Sequence, residues 1–394
     1  MTAERPEHRV VVSGVGLSAV GRRVGRSPFQ LTIDAIGAAV ADAGLQSGDI
    51  DGLATFPGLA PELVPGFVGP DLYDVADALG VRLDWHLGAA YGAGPLGPLL
   101  HGVLAVAAGL CRHAVVFRTI SESSAQTTAR REGIASGLEE AAGPWSWLLS
   151  VGALSAANWA GLYAQRHMHR YGTTREQLGW VAVTERRHAA RHPGAVWRTA
   201  LSMDEYLAAR MVSSPLGLYD CDTPVDGSAV IVISHADTVA DLRHPVRVES
   251  LGGAIRHRPL WEQWDDLTTM AAHDVAAQLW SRTDLKPADV DVAQLYDGFS
   301  IFVLLWLEAL GFCPPGAGGP FVAGGRTTDL DGPLPTNTCG GQLSFGRLHG
   351  FGLFVEAVRQ LRGEGADRQV PGAEVACVGV GGGTLAGAVL LTRR

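Results

Sequence analysis

Cysteine is scarce and unpatterned in this chain. The five thiols, at positions 111, 221, 313, 339 and 377, form no Cys-x-x-Cys pair. Neither a zinc site nor a disulfide framework is indicated, and a reducing setting fits. Long apolar runs are missing too. The stretch Leu99–Leu110 is interrupted by His101 and falls short of the roughly 20 residues a helix needs to span a bilayer. Thr2–Arg9 is charged and has no apolar core, so no signal peptide is expected. A cytoplasmic protein away from the membrane is the expectation. Positive charge is in deficit, with 31 Lys and Arg against 40 Asp and Glu and a formal net charge of −9. That argues against a nucleic-acid binder.

What the chain does have is bulk and glycine. At 394 residues and 47% hydrophobic, it can bury a large core, as one big domain or two fused halves. Its 51 glycines imply many close backbone approaches. Strand and helix signals alternate. Val10–Gly16 is expected as a strand, Pro28–Ala43 as a helix with Leu31, Ala35, Ala38 and Ala39 on one stripe, and residues 45–56 as a polar turn feeding a short strand. A short helix (Asp71–Leu79) and strand (Val81–Leu87) follow. A small-residue turn, Ala89–Pro95, opens a helix through Leu110, and Ala114–Phe117 is a strand.

Residues 119–225 break this rhythm with polar helices such as Ser146–Ala164 and Arg175–Arg191, and read as an inserted subdomain. Val225–Ser234 returns to the core. The pattern then restarts. Pro245–Leu251 is a strand and Leu267–Trp280 a helix, and Leu285–Val292 mirrors Leu45–Gly52 in its leucine start and acid–apolar–acid ending. The helix Leu348–Leu361 and strand Glu374–Val380 match Pro98–Leu110 and Ala114–Phe117. Repetition of this kind predicts two similar α/β halves, 1–240 and 241–394, each with a mixed five-stranded sheet.

In the second half, the β-rich approach Val290–Leu295 ends on Tyr296-Asp297-Gly298-Phe299, and an apolar helix-like run follows. A strand that stops abruptly before a helix puts its last side chain at the carboxyl edge of the sheet, where ligands of open α/β folds bind. Tyr296 is therefore a candidate for chemistry.

Three glycine-bearing turns accompany this stretch: Tyr296-Asp297-Gly298-Phe299, Asn337-Thr338-Cys339-Gly340-Gly341 with Gly346-Arg347-Leu348-His349-Gly350, and Cys377-Val378-Gly379-Val380-Gly381. In that order, on a duplicated α/β core with an insertion, they resemble the motifs of the thiolase superfamily, and most of all its sterol-carrier and lipid-transfer-protein type. The resemblance covers nearly the whole chain. It implies a five-layer αβαβα fold and a homodimer. It also exposes departures. The family's nucleophilic cysteine belongs at the start of the first half's long helix, where this chain has Tyr91-Gly92-Ala93-Gly94-Pro95. Arg347 stands where a histidine would activate that cysteine, and Tyr296 replaces another histidine. Acyl transfer through a thioester is therefore not expected. The oxyanion donors, backbone N–H groups near Gly92 and Gly379, are expected to survive.

A thioester enolate also lies on the path of carbon–carbon cleavage. The steroid side-chain retro-aldolases of this group place a tyrosine where Tyr296 stands. The resemblance thus implies a lyase that cleaves a β-hydroxyacyl-CoA to a ketone and a short acyl-CoA. Tyr296 is its main proton-transfer group, provided that a nearby arginine lowers the phenol pKa from roughly 10. A second tyrosine expected near Arg347 is absent. The resemblance further implies a small zinc-ribbon/OB-fold partner that helps bind acyl-CoA, with zinc in the partner and no cofactor or metal in this chain. Two rivals stand beside the lyase: a catalytically silent acyl-CoA-binding or scaffold subunit, and an acyltransferase or condensing enzyme using Cys339 or Cys377.

Each site residue carries two readings. Asp297 is a turn-forming carboxylate or a proton carrier. Arg347 orients substrate and tunes Tyr296, or forms a surface ion pair. His349, at a helix start, is an acid/base candidate. Asn337 forms a turn and shares in the site. Cys339 faces the cavity or packs beside Gly340. Cys377 aligns with the thiolase acid/base cysteine, or is a buried strand-end thiol. Arg186 and Arg187, in the insertion, meet the CoA phosphates or line a solvated helix face.

Overall fold

The computed structural model describes residues 5–56, 66–88, 94–126, 144–153, 155–256 and 261–393. The first half runs β1 (Val10–Leu17), α1 (Pro28–Ala43), β2 (Gly52–Thr55), α2 (Leu72–Leu79), β3 (Trp85–Gly88), α3 (Gly97–Ala107) and β4 (His113–Ser121). The excursion follows, with α4 (Glu122–Ala125), α5 (Pro144–Ser150), α6 (Ala156–Tyr171), α7 (Arg175–Ala190), α8 (Met203–Ala208) and the small ribbon β5 (Met211–Ser213) and β6 (Leu216–Gly217). The chain returns through β7 (Asp226–His235). The second half is β8 (Val246–Ile255), α9 (Ala272–Ser281), β9 (Val292–Leu295), α10 (Ser300–Ala309), α11 (Phe351–Arg362), β10 (Val375–Gly382) and β11 (Leu385–Thr392).

Local chemistry explains the boundaries. Helix α1 starts where Ser27 accepts the Gln30 amide and Gln30 bonds back to Ser27, with Pro28 pre-set at the first turn. Its stripe Leu31, Ala35, Ile36, Ala39 and Val40 is buried. The expected single helix Ser146–Ala164 is instead two, α5 and α6, because Ser155 caps a fresh start by accepting the Ala157 amide. Strand β4 runs on to Ser121, so the excursion leaves at Glu122.

The strands lie in the order β3-β2-β4-β7-β1-β8-β11-β10-β9. The first five belong to one half and the last four to the other. Among the described residues the two sets pair only where Val11 and Val12 meet Arg247 and Val246. Helices α3 and α11 each touch strands of both halves and form the middle layer, while α1 and α9 cover the outer faces. The second half thus has four strands among the described residues, not the expected five. The counterpart of β3 shrinks to one parallel bridge, Ala293 with Thr336. Asn337 takes a left-handed φ of 52° immediately after it, and extended pairing cannot continue through that conformation. Strand β11, which sequence reading passed over, pairs with β10 along its full length. Among the described residues no helix is long and apolar enough to cross a membrane.

Trp306 ties this frame together beneath the site. It is fully buried, its ring packs against Gly379, and its indole N–H donates to the Gly381 carbonyl at 3.0 Å. Trp306→Ala is expected to lower stability by about 3–5 kcal/mol, read as a lower urea midpoint.

Candidate active site

The end of β9 is held from two sides. Asn337 Oδ1 accepts the Leu295 amide at 2.7 Å, and its Nδ2 donates to the Leu295 carbonyl at 2.9 Å. The next amide, of Tyr296, donates to the Gly379 carbonyl at 2.8 Å. Tyr296 then folds back over its own turn, so that a Cβ added to Gly298 would sit 2.9 Å from the phenol oxygen. Only glycine at 298 permits that pose. The phenol is buried, 7% exposed.

A buried charge cluster lies beside it. One guanidinium nitrogen of Arg347 donates to Glu122 Oε2, and another donates to Asp222 Oδ1 at 2.9 Å. These residues come from three parts of the chain. Asp226 fixes the α4 turn that carries Glu122 by accepting the Ser124 amide at 2.9 Å. The return segment 221–223 threads between two turns: the Asp222 amide donates to the Gly298 carbonyl, and the Arg347 amide to the Thr223 carbonyl. Burial pushes Asp222 up to about 7, against the pull of Arg347 and with help from Glu122 and Asp297.

Tyr296 responds in the opposite sense to the expectation. Burial, followed by the charge of Asp222, raises the phenol pKa, and Arg347 offsets only part of this. Desolvation disfavours the phenolate more than one cation can repay when that cation already serves two carboxylates. The resting phenol is protonated.

His349 is likewise no resting acid. Its φ is 52°, its ring packs against Phe67 at a tilt of 60° with centroids 4.5 Å apart, and its Nδ1 accepts from Arg118 at 3.1–3.2 Å. Burial, then Arg118 and Arg347, hold the imidazole well below its ordinary pKa, so it stays neutral. Arg118 is fully buried between Phe56 and Phe67, and burial lowers it to about 9. Left-handed φ at two non-glycine residues, Asn337 and His349, is the kind of strain that gathers at functional sites.

Asp297 belongs to a second buried pair. It accepts the Leu343 amide at 3.0 Å and a side-chain hydrogen bond from Glu185. Glu185 also accepts from Asn337 Nδ2 at 2.7 Å. Burial, then Asp297, raises Glu185 well above the ordinary value. Glu185 keeps the proton, because the backbone donors stabilise Asp297 as the ion. A Cβ on Gly341 would collide with both carboxyl groups, so only glycine lets them meet.

The remaining expected residues separate. Cys377 is fully buried inside β10, and burial alone raises its thiol to about 12. Cys339 is buried and raised further, with Glu356 adding to the effect of burial. Arg368 offsets only part of this at Cys339, and neither thiol is activated as a thiolate at rest. Asn337 spends its amide on Leu295 and Glu185 rather than on a ligand. Gly379 lies in β10 next to the Tyr296 amide. Gly92 falls outside the described residues. Arg186 and Arg187 do not share a face, since neighbours on a helix point about 100° apart. Arg186 turns inward to Ser344 Oγ at 2.8 Å, and Arg187 pairs with Asp329 at 3.0 Å.

Four members of these clusters escaped sequence reading: Arg118, Glu122, Glu185 and Asp222. Arg118 left a signal, a charge inside the apolar run Ala114–Ile120. The others carry no local mark. Among the described residues no group of three or more His, Cys, Asp or Glu side chains could hold a metal ion. The arrangement offers a buried phenol, a near-neutral carboxyl and an arginine between two acids, which suits moving a proton away from water.

The profile of the family described as "Thiolase C-terminal domain-like" matches residues 252–392. The chain is 33% identical to the steroid side-chain-cleaving aldolase of Thermomonospora curvata over 369 residues, covering 89% of this chain and 90% of the relative. It is 32% identical to the 17-hydroxy-3-oxo-4-pregnene-20-carboxyl-CoA lyase of Mycobacterium tuberculosis over 402 residues, covering 97% and 99%. Among solved structures, the Ltp2-ChsH2(DUF35) aldolase superposes with a TM-score of 0.87 at 31% identity, over 98% of each chain.

The Glu185–Asp297 pair makes a testable statement. Glu185→Gln mimics the protonated acid and should leave stability at neutral pH within about 1 kcal/mol, whereas Glu185→Ala should lose about 3 kcal/mol. Because the folded-state pKa of Glu185 lies above its ordinary 4.5, its contribution is complete below that value and fades as pH rises. Urea unfolding between about pH 5 and pH 9 should show the wild type losing ground to Glu185→Gln.

Proposed function

The chain belongs to the thiolase superfamily, in the group that holds the steroid side-chain-cleaving aldolases, and on that premise we propose that it is an acyl-CoA-dependent carbon–carbon lyase. It cleaves a β-hydroxyacyl-CoA, of the steroid side-chain class, to a ketone and a shorter acyl-CoA. One observation carries the reading: the Tyr296 phenol lies over Gly298 at the sheet's carboxyl edge, within electrostatic reach of the Glu122–Arg347–Asp222 cluster.

The bond that breaks joins the carbinol carbon to the α-carbon of the thioester. Its electrons pass into the thioester as an enolate while the hydroxyl proton leaves, and the α-carbon takes up a proton at the end. Tyr296 is the group through which the hydroxyl proton departs. Gly379, whose carbonyl accepts the Tyr296 amide, is the residue whose N–H is expected to meet the enolate oxygen, with Gly92 as its expected companion. The turn 91–95 contains no cysteine, and burial raises the pKa of Cys339 and Cys377. Both facts speak for cleavage and against acyl transfer through this chain.

The solved structure reported above is described as an aldolase together with ChsH2(DUF35). In that light we expect a second, small acyl-CoA-binding protein of zinc-ribbon/OB-fold type to work beside this chain, and the chain itself to dimerise.

Incubation with 17-hydroxy-3-oxo-4-pregnene-20-carboxyl-CoA should release a ketosteroid and a short acyl-CoA, both read by mass spectrometry. Tyr296→Phe should cut turnover by about 100-fold or more with little change in substrate affinity. Turnover undiminished in Tyr296→Phe would remove the tyrosine from the mechanism. Co-expression with a DUF35-type protein should yield a complex on size-exclusion chromatography that outperforms the chain alone.

A further inference from the structure

We propose that Asp222 is the proton-holding group behind Tyr296, taking the hydroxyl proton that the phenol relays and returning it to the α-carbon, a role that rests on the lyase reading. The geometry carries this. The Asp222 amide is bonded to the Gly298 carbonyl, and Gly298 is the residue over which the phenol oxygen lies. Arg347 engages only Oδ1 of Asp222. Oδ2 takes no bond from Arg347 and is the oxygen on which we place the proton.

The alternatives on neighbouring elements are each committed elsewhere. Glu122, from α4, is sealed from solvent and serves as counter-ion to Arg347, with Arg118 close by. Asp297, from the turn after β9, accepts the hydrogen bond of protonated Glu185 and the Leu343 amide. His349 is held neutral between Arg118 and Arg347, and the Cys221 thiol next in the chain is raised to about 12 by burial. Asp222, near 7, is the group in this set matched to general-base work at neutral pH.

The relay balances without a co-reactant. The substrate O–H bond breaks as its proton passes to the Tyr296 oxygen, and the phenol's own proton passes to Asp222. The carbon–carbon bond breaks, the ketone C=O forms, and its electrons rest in the enolate. Asp222 then returns the proton through Tyr296 to make the new Cα–H bond. One proton and one relay serve both transfers, so the second tyrosine expected near Arg347 is not required.

The test uses the full chain, with its partner if one co-purifies, and two assays. One is cleavage of 17-hydroxy-3-oxo-4-pregnene-20-carboxyl-CoA across pH. The other is exchange of the α-hydrogens of propionyl-CoA in D2O, read by mass spectrometry. Wild-type cleavage should rise with pH through a limb near 7, where Asp222 becomes ionised. Asp222→Asn should lower kcat by about 100-fold or more, leave KM within about threefold, abolish the limb and slow exchange in parallel. Asp222→Glu keeps a carboxyl and should retain a limb at a shifted midpoint, which decides the matter if the asparagine variant does not fold. A limb near 7 that survives in Asp222→Asn, or is unmoved in Asp222→Glu, overturns the assignment and leaves the lyase intact. Exchange that depends on Asp222 in a chain that cleaves nothing would keep the proton role and remove the lyase. Silence of the wild type in both assays removes both.

Discussion

A single arginine between two buried acids organises this molecule. Arg347 joins Glu122 at the end of β4 to Asp222 on the return from the excursion, and its own turn leads into α11. Burying three charges is expensive, and their mutual attraction repays it only when geometry is good and lone pairs are satisfied. Here the satisfaction is incomplete. Among the described residues Glu122 Oε1 and Arg347 Nε are buried without a hydrogen-bond partner. A fold serving stability alone would do as well with apolar side chains. Retaining the cluster makes sense where a proton must move in a medium that water does not level.

That low dielectric sorts the titratable groups. It keeps the Tyr296 phenol and the His349 imidazole neutral, lifts the thiols of Cys339 and Cys377 out of reach, and brings Asp222 close to neutrality. The same environment therefore silences the chemistry that a thiolase frame usually supports and favours a different one. Residue type alone would have ranked the histidine and the cysteines as the reactive groups. Burial and neighbouring charge reverse that order.

The backbone that presents these groups is tightly constrained. Asn337 locks Leu295, Gly379 locks Tyr296, and Gly298 clears the space into which the phenol folds. Helix α7, part of the excursion, supplies Glu185 to the far side of the same turn. The excursion is thus built into the site: it delivers Glu122 as it leaves, Glu185 midway and Asp222 as it returns.

Much of the frame was legible in one dimension. Most of the α1 stripe (Ala38 excepted, which is exposed), the strand that stops at Leu295, the repeated turns and the absence of cysteine from 91–95 are local patterns, and local patterns survive in a sequence. Tyr296 was found because it ends a strand, and Arg347 because it stands in a motif. The shrinkage of the second half's fifth strand was not legible, because it turns on the backbone conformation of Asn337. Nor were the partners of Arg347. Glu122, Asp222 and Arg347 are separated by 100 residues or more at each step of the chain, and no periodicity links them. Sequence by itself determined the α/β frame and put a tyrosine at the end of β9, because periodicity and turn chemistry act over a few residues. Tertiary structure decided which groups hold protons, because a pKa depends on burial and on charges that only folding brings within reach.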